Sequence, residues 1–301
     1  MKHGNDTVPN RPLPCLWASS SDFLKLTKPR ITSLVLFTTF VGFYAGALRP
    51  FPFAKMCHTL IGTGLVAGGA AAFNMFVERQ LDALMKRTEL RPLPAGRLQP
   101  SHALIFALVI SIGGFVYLYS MTNHLASILS AIIFAGYLFL YTPLKNRTWL
   151  STFIGAVPGA LPVVLGWAAA THSVSCGAWI LFAIIFLWQM PHFYAIGWLH
   201  RKDYEHAGFS LLPVTDNSGR RIRILAPTFV AILIPTTSLP FFADISGVVY
   251  LTGSVLLGLL FLFFGIYFSR SLSNISAGRF FNVSALYLPA LFLLLIFDKT
   301  A

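Results

Sequence analysis

Long uncharged apolar stretches, separated by polar loops, follow one another along almost the whole chain. Nine of them come close to the roughly 20 residues that a helix needs to cross a bilayer. They run over 31–48, 58–77, 101–122, 125–144, 149–170, 176–199, 224–243, 245–269 and 280–297. The second should continue as a helix through 77–85, which contains no Gly or Pro and keeps strong helix formers. The pattern predicts an all-α integral membrane protein, a bundle of nine transmembrane helices.

Composition supports this prediction. Of 301 residues, 56% are apolar and only 11% are charged, with a mean hydropathy of +0.71. A soluble domain would carry about 25% charged residues, so a soluble enzyme, a cytosolic binding module and a disordered chain are excluded. We expect 1–30 to be a cytoplasmic tail, too polar to be a cleavable signal peptide, and 31–298 to be one membrane domain.

The net charge of +12 predicts orientation. Eighteen of the 22 Lys and Arg residues fall in the N-terminal tail and in the loops after the second, fourth, sixth and eighth stretches. Cytoplasmic loops of membrane proteins carry such an excess. We therefore expect a cytoplasmic N-terminus and an outside C-terminus, and no nucleic-acid partner is needed to explain the charge. The absence of a transit-like N-terminus favours a bacterial inner membrane.

Three polar residues interrupt the end of the second helix. Asn74, Glu78 and Asp82 follow one another at intervals of four, in FNMFVERQLDALMKRT, so they share one helical face with a rise of about 6 Å between neighbours. We call these three residues the polar ladder. Local ion pairs with Arg79 and Lys86 would be one explanation, but they leave Asn74 unexplained. Because polar groups beside apolar segments are costly, we favour a functional site.

The chemistry of the ladder predicts a metal and its ligand. Oxygen ligands at this spacing suit Mg²⁺, which proteins hold through one or two carboxylates together with substrate phosphate oxygens. The cations that follow the ladder could meet those phosphate oxygens: Lys86, Arg87, Arg91 and Arg97. The segment therefore predicts binding of a phosphorylated substrate with magnesium.

Five blocks of sequence resemble one known family. They are LTKPRIT at 26–32, NMFVERQLDALMKRTELRPLPAGR at 74–97, YTPLKNRT at 141–148, FIGAVPGALPVVLGWAA at 153–169 and WQMPHFYAIGWLHRKDYEHAGFSLLPV at 188–214. With them the chain resembles the UbiA-type intramembrane prenyltransferases and, through the last block, the protoheme IX farnesyltransferases (heme O synthases) among them. That resemblance implies nine transmembrane helices around a central cavity open to the membrane.

The resemblance also implies a reaction. The farnesyl group of farnesyl diphosphate would be transferred to a vinyl group of heme B, with addition of water, to give heme O and diphosphate. Magnesium would be the cofactor, with heme B a substrate rather than a cofactor. The protein would work in contact with membrane lipid, and a heme-modifying enzyme or a terminal oxidase is a candidate protein partner.

Residue roles follow from the resemblance position by position. The ladder would hold magnesium diphosphate, with Asn74, Glu78 and Asp82 as the metal-binding residues. The implied phosphate contacts are Lys86, Arg87 and Arg91, and the implied further substrate-binding residues are Tyr141 and Lys145, which would face the diphosphate. Tyr141 and Lys145 could instead be an interfacial aromatic residue and a topology-setting cation.

Two later positions are more open. His192 follows Pro191 in an otherwise apolar stretch. A lone buried histidine is more often hydrogen-bonded than metal-bound, but the resemblance raises contact with the heme iron or with a propionate. Lys202 and Asp203 stand where the wider family has a second acid-rich motif. Because Asp203 and Glu205 would diverge on a helix, we expect only a phosphate contact from Lys202 and a metal or hydrogen-bonding role for Asp203.

Three alternatives remain open from the sequence. The chain could prenylate an aromatic or quinone-precursor acceptor. It could be a cation-coupled membrane transporter that uses Glu78 and Asp82, although such acids should face both sides of the membrane. It could also be a non-catalytic assembly factor that binds heme, against which the intact polar ladder argues.

Overall fold

Helices make up most of the structure, a computed structural model that describes residues 20–216 and 218–300. The first 19 residues of the predicted tail 1–30 lie outside the described part. The helices are α1 (Ser20–Leu26), α2 (Pro29–Gly46), α3 (Phe53–Asp82), α4 (Pro100–Met121), α5 (His124–Ala135), a π-helical segment (Gly136–Tyr141), α6 (Thr142–Leu144), α7 (Ser151–Thr171), α8 (Cys176–Leu199), α9 (Arg201–His206), α10 (Leu212–Thr215), α11 (Arg220–Phe242), α12 (Val248–Ser271) and α13 (Asn274–Phe297). The described ranges contain no β-strand, only an isolated bridge between Ser246 and Lys299. The all-α class is confirmed.

Each of the nine predicted stretches corresponds to a helix. Eight helical segments of the described chain are long and apolar enough to cross a membrane, with α5 to α6 counted as one segment, His124–Leu144. The exception is α2, which has 18 residues and begins with Pro29 and Arg30. The chain is thus a multi-pass integral membrane protein, while nine spans and the orientation of the termini stay predictions.

Lipid-facing surfaces are visible on the outer helices. On α4, four large apolar side chains recur at helical spacing and are exposed: Ile105, Val109, Ile112 and Val116. Exposed leucine and phenylalanine side chains also lie along α12. Such faces are stable next to hydrocarbon, where the helical backbone satisfies its own hydrogen bonds.

Two groups of helices share α7 as a common wall. In the first group α3 packs on α4, and α2 packs on α7. In the second, α8 packs on α11 and α13, and α12 lies against α11 and α13. Direct packing of α7 on α8 joins the two groups.

Glycines allow α2 and α7 to approach closely. A Cβ on Gly42 would lie 1.9 Å from the Val163 carbonyl oxygen, and one on Gly166 would lie 1.9 Å from the Thr39 carbonyl oxygen. No side chain could be accommodated at that distance without separating the helices. Small residues serve the same purpose in other membrane helix pairs.

The ladder helix projects beyond its apolar part. α3 runs to Asp82, past the predicted apolar stretch 58–77 but short of the expected end at residue 85. Its last turn is followed by turns, in which the Thr88 hydroxyl donates to the Asp82 carbonyl at 2.8 Å. The ladder therefore occupies the last turns of a helix, where loops and neighbouring helix ends can reach it.

Candidate active site

The polar ladder lies inside the protein, not on its surface. Asn74, Glu78 and Asp82 follow one another on α3 and are 0%, 6% and 1% exposed. Two buried carboxylates require partners, because an unpaired buried charge costs several kcal/mol. The basic partners of the whole ladder come from three separate parts of the chain.

Each residue of the ladder contacts one basic side chain. The Lys28 ammonium donates to Asn74 Oδ1 at 2.7 Å, and the Lys145 ammonium donates to Glu78 Oε1 at 2.8 Å. Arg91 Nη1 donates to both carboxylate oxygens of Asp82, at 2.7 and 2.6 Å. Three cations thus converge on two carboxylates and one amide.

Lys28 was not among the predicted site residues, although it lies within the LTKPRIT block. It stands between α1 and α2, immediately before Pro29, and a residue before proline is disfavoured in the helical region. Its φ of 48° is left-handed, a costly conformation for a residue with a Cβ and one that clusters at functional sites. Burial and the Arg91 guanidinium lower the pKa of Lys28 to about 7, although Glu78 opposes this. In the sequence, the Lys28-Pro29 dipeptide was the signal that could have indicated this residue.

Lys145 is directed to Glu78 by the π-helical segment. Within this segment the Thr142 backbone N–H donates to the Tyr137 carbonyl, five residues earlier. The Thr142 hydroxyl then lies 3.3 Å from Asn74 Nδ2. Such π-helical turns often occur at functional sites. This one places Thr142 and Lys145 beside two successive turns of α3.

Tyr141 lies under the Lys145 ammonium, which is 4.6 Å from the ring centroid. Gly155 makes room for this ring, because a Cβ there would lie 2.3 Å from it. Burial by itself would lower the pKa of Lys145, but Tyr141 and the Glu78 carboxylate raise it above its ordinary value. Lys145 is therefore a permanent cation beside the ladder.

The local ion pairs that were the alternative explanation of the ladder are not formed among the described residues. Arg79 donates to the Phe76 carbonyl at 2.7 Å and covers the Phe76 ring, and Lys86 is exposed. The helix ends at Asp82, so the helical i, i+4 geometry that would bring Lys86 to Asp82 is lost. Partners distant in sequence replace local ones.

The remaining predicted cations lie further from the ladder. Arg87 is exposed and approaches the Tyr204 hydroxyl at 3.4 Å, and Arg97 pairs with Asp22 at 3.2 Å. Among the described residues, Lys86, Arg87 and Arg97 make no hydrogen bond to the ladder, so only Arg91 of the four does so.

Lys202 and Asp203 are not brought to the ladder either. They lie on α9 and line an open cleft with Trp198 and with residues of the α12–α13 turn. The neighbouring Tyr204 instead packs near Met85 and Phe209, in the cluster that includes the loop after the ladder. Side chains that are neighbours in sequence diverge on a helix, which is why the two faces of α9 meet different surroundings.

The ladder suits magnesium by its donor chemistry. Its oxygen atoms come from two carboxylates and an amide, the hard ligands that Mg²⁺ prefers. The described residues contain no group of three or more His, Cys, Asp or Glu side chains that could hold a metal. Such a group is not needed when substrate phosphate and water complete the coordination. The facing cations supply the complementary charge for phosphate.

His192 lies in the second helix group, among aromatic rings. Its ring stacks on Trp188 with centroids 4.9 Å apart at 25°, and it lies 4.9 Å from Phe281 at 33°. His192 Nδ1 is 2.7 Å from the Ser284 hydroxyl, and Trp188 Nε1 donates to the Ser284 carbonyl at 2.8 Å. We call His192, Trp188, Phe281 and Ser284 the histidine pocket. It is built by α8 and α13.

Relatives of the chain agree on one kind of protein. A protein of Solibacter usitatus named protoheme IX farnesyltransferase is 43% identical over 287 residues, which are 92% of this chain and 98% of that protein. One of the same name from Koribacter versatilis is 38% identical, with 96% of each chain covered.

Solved structures share the fold at much lower identity. A digeranylgeranylglyceryl phosphate synthase superposes with a TM-score of 0.78 at 16% identity, covering 92% of this chain and 97% of the other. A UbiA homologue from Archaeoglobus fulgidus bound to GPP and Mg²⁺ gives a TM-score of 0.65 at 17% identity, with 91% and 99% covered. The sequence model of the UbiA prenyltransferase family matches residues 35–295. The chain therefore belongs to the UbiA prenyltransferase family.

Proposed function

We propose that this prenyltransferase transfers the farnesyl group of farnesyl diphosphate to a vinyl group of heme B. The allylic C1–O bond breaks and diphosphate leaves with the bonding electrons. Farnesyl C1 then bonds to the terminal vinyl carbon, and water adds to the other vinyl carbon with release of a proton. The product is heme O. The observation that carries the donor half is the buried ladder with its three facing cations.

The donor would bind at the ladder end of the first helix group. Lys145, Arg91 and Lys28 are the cations nearest to the ladder, and each could exchange a ladder oxygen for a phosphate oxygen. Donors fixed in advance around a departing diphosphate stabilise charge where it develops. Lys86 and Arg87, exposed in the loop that follows the ladder, would guide the anion in from the solvent.

Magnesium would be held by the oxygens of Asn74, Glu78 and Asp82, and when bound it would neutralise the leaving diphosphate as a Lewis acid. This assignment rests on the donor set and on the fold shared with the A. fulgidus homologue, whose structure contains GPP and Mg²⁺.

The acceptor would lie toward the histidine pocket. Its aromatic rings suit a flat porphyrin, and His192 offers a nitrogen on a helix that contacts the shared wall α7. The relatives named protoheme IX farnesyltransferase support heme as the acceptor. The surrounding apolar helices would keep bulk water from the allylic cation.

We place the protein in a bacterial inner membrane, with 31–298 as one catalytic domain. In this proposal Tyr141 lies beside the diphosphate, and Lys202 and Asp203 lie outside the donor site.

The test is a product assay on the detergent-purified full chain with heme B, farnesyl diphosphate and Mg²⁺, read by chromatography and mass spectrometry. We expect a heme product heavier by farnesyl plus water, lost with a chelator and in Asp82→Asn. The exposed Arg147→Gln, two residues from Lys145 but outside the ladder, is the matched charge control and should keep turnover. A folded, heme-binding wild type that forms no heme product would overturn the proposal, and prenylation of an aromatic acceptor instead would replace heme as the substrate.

A further inference from the structure

The hydrogen bonds around Ser284 determine which nitrogen of His192 carries a proton. A serine hydroxyl has one hydrogen to donate. The Ser284 hydroxyl is 2.6 Å from the Phe281 carbonyl oxygen, a separation that only a hydrogen between the two oxygens makes favourable. That hydrogen is therefore already used, and the Ser284 oxygen can act only as an acceptor toward His192.

His192 must then be the donor in its 2.7 Å contact with Ser284, so Nδ1 carries the hydrogen. A neutral imidazole has only one N–H. The apolar helices around the ring disfavour a charged imidazolium, and within the described residues no carboxylate is bonded to His192 to compensate for the charge. Nε2 is therefore left with a bare lone pair.

The ring is also held in one orientation. Trp188 and Phe281 lie against it, each with its ring centroid 4.9 Å from that of His192. Ser284 also holds two residues of α8, because its hydroxyl accepts from His192 and its carbonyl accepts from Trp188. Ser284 is itself fully buried, whereas His192 is partly exposed. The pocket thus restrains the ring through two aromatic contacts and the Nδ1 hydrogen bond. Among the described residues Nε2 has no hydrogen-bond partner, which leaves this nitrogen for a ligand.

We propose that Ser284 is a positioning residue that presents His192 Nε2 as a nitrogen ligand to the iron of the porphyrin acceptor. This inference rests on the proposed function. A bare lone pair binds a metal cation but repels a propionate oxygen, so of the two heme contacts open from the sequence it selects the iron. Histidines that bind metals are commonly oriented by an acceptor at their other nitrogen, and Ser284 occupies that place.

The test is a heme B titration of the purified full chain without farnesyl diphosphate, followed by optical absorption and by electron paramagnetic resonance of the ferric complex. We expect a histidine-nitrogen signature in the wild type that is lost in His192→Ala. Added imidazole should restore it in His192→Gly, where the ring is missing but its space remains.

Ser284→Ala should lower heme affinity by about 10- to 100-fold and weaken the nitrogen signature, which is the usual cost of removing a residue that orients a metal ligand. Ser254→Ala is the matched control: it removes a similar buried hydroxyl bonded to a carbonyl of its own helix, with no histidine attached. If Ser284→Ala does not fold, Ser284→Thr and Ser284→Val give a pair of equal shape, of which only the threonine should keep the signature.

The outcomes separate the two proposals. Heme product without nitrogen ligation, or unchanged heme affinity in folded Ser284→Ala or Ser284→Val, overturns this inference and leaves the reaction standing. Nitrogen ligation without any heme product supports the inference and overturns the reaction. A wild type that binds no heme overturns both.

Discussion

The two polar regions of this bundle stabilise their buried polar groups in different ways. The polar ladder contains two carboxylates, and its charge is compensated by cations from the α1–α2 turn, the loop after α3 and the end of α6. The histidine pocket contains no full charge of its own, and one serine on the facing helix completes its hydrogen bonds.

This difference matches what each region would bind. A buried carboxylate needs an opposite charge nearby, and the same charges can later hold an anionic diphosphate. A neutral imidazole between aromatic rings needs only one hydrogen bond, and it stays suited to a flat, largely apolar partner. If the donor and acceptor sites are separate in this way, substitutions in one region should leave binding in the other intact.

The strongest test is Asp82→Ala. It removes one carboxylate of the ladder and leaves Arg91 without the partner that it contacts at 2.6 Å. We expect turnover to fall at least about 100-fold, the usual loss when a group that stabilises developing charge is removed, whereas heme affinity and the heme spectrum should not change. The measurement is product formation beside a heme titration; activity near the wild-type level would remove the ladder from the chemistry.

A weaker effect is expected from Lys145→Gln, which keeps a hydrogen-bond donor but removes the charge that faces Glu78. Apparent affinity for farnesyl diphosphate should fall about tenfold, since a hydrogen bond between charged groups contributes about 1.5 kcal/mol or more. Heme affinity should remain unchanged. Arg147→Gln controls for the loss of a nearby positive charge, and an equal effect in both variants would mean that Lys145 acts only through general electrostatics.

The sequence predicted the ladder but not its partners, for a physical reason. Helical periodicity alone places Asn74, Glu78 and Asp82 on one face, because the spacing of four is a local property. The contacts of Lys28, Lys145 and Arg91 depend on how distant segments pack, so periodicity gave only candidates, including Lys86 and Arg87, which the structure leaves exposed. The resemblance to the family supplied Lys145. The Lys-Pro sequence could mark Lys28 as a special backbone position, but its left-handed turn and its contact with Asn74 are seen only in the structure.

The histidine pocket shows the same limit. The sequence singled out His192 as a polar group in an apolar helix, but Ser284 follows it by 92 residues in another helix. Serines are common in membrane helices, and no local pattern distinguishes this one. The positions of the long helices, by contrast, followed from apolar length alone. Of the nine predicted stretches only that of α2, whose helix begins with the polar Pro29 and Arg30, falls short of a clear span.

Lys28→Gln should sharpen the comparison further, because the contact with Asn74 is the role that the structure indicates for this residue. The glutamine could still donate to Asn74 Oδ1, so the fold should be retained, while the positive charge next to the ladder is lost. We expect a severalfold rise in the apparent KM for farnesyl diphosphate at pH values near or below 7, where Lys28, with a pKa of about 7, carries its charge. Lys25→Gln, an exposed cation paired with Asp22 on α1, is the control; no difference between the two variants would return Lys28 to a structural role.

The smallest predicted effects lie in the wall that the two regions share. On α7 a Cβ at Gly155 would lie 2.3 Å from the Tyr141 ring, and one at Gly159, a turn further on, would lie 2.2 Å from Gln189 Oε1 on α8. Overpacking of this kind costs about 1 kcal/mol or more, which corresponds to roughly a fivefold change in a binding constant. Gly155→Ala should therefore weaken the farnesyl diphosphate site through Tyr141 and Lys145, whereas Gly159→Ala should weaken heme binding by displacing Gln189 in the helical turn before His192. Each variant is the control for the other in paired titrations of the two substrates. If both variants weakened the binding of both substrates equally, α7 would transmit strain as one rigid body. The donor and acceptor sites would then have to be treated as a single cavity.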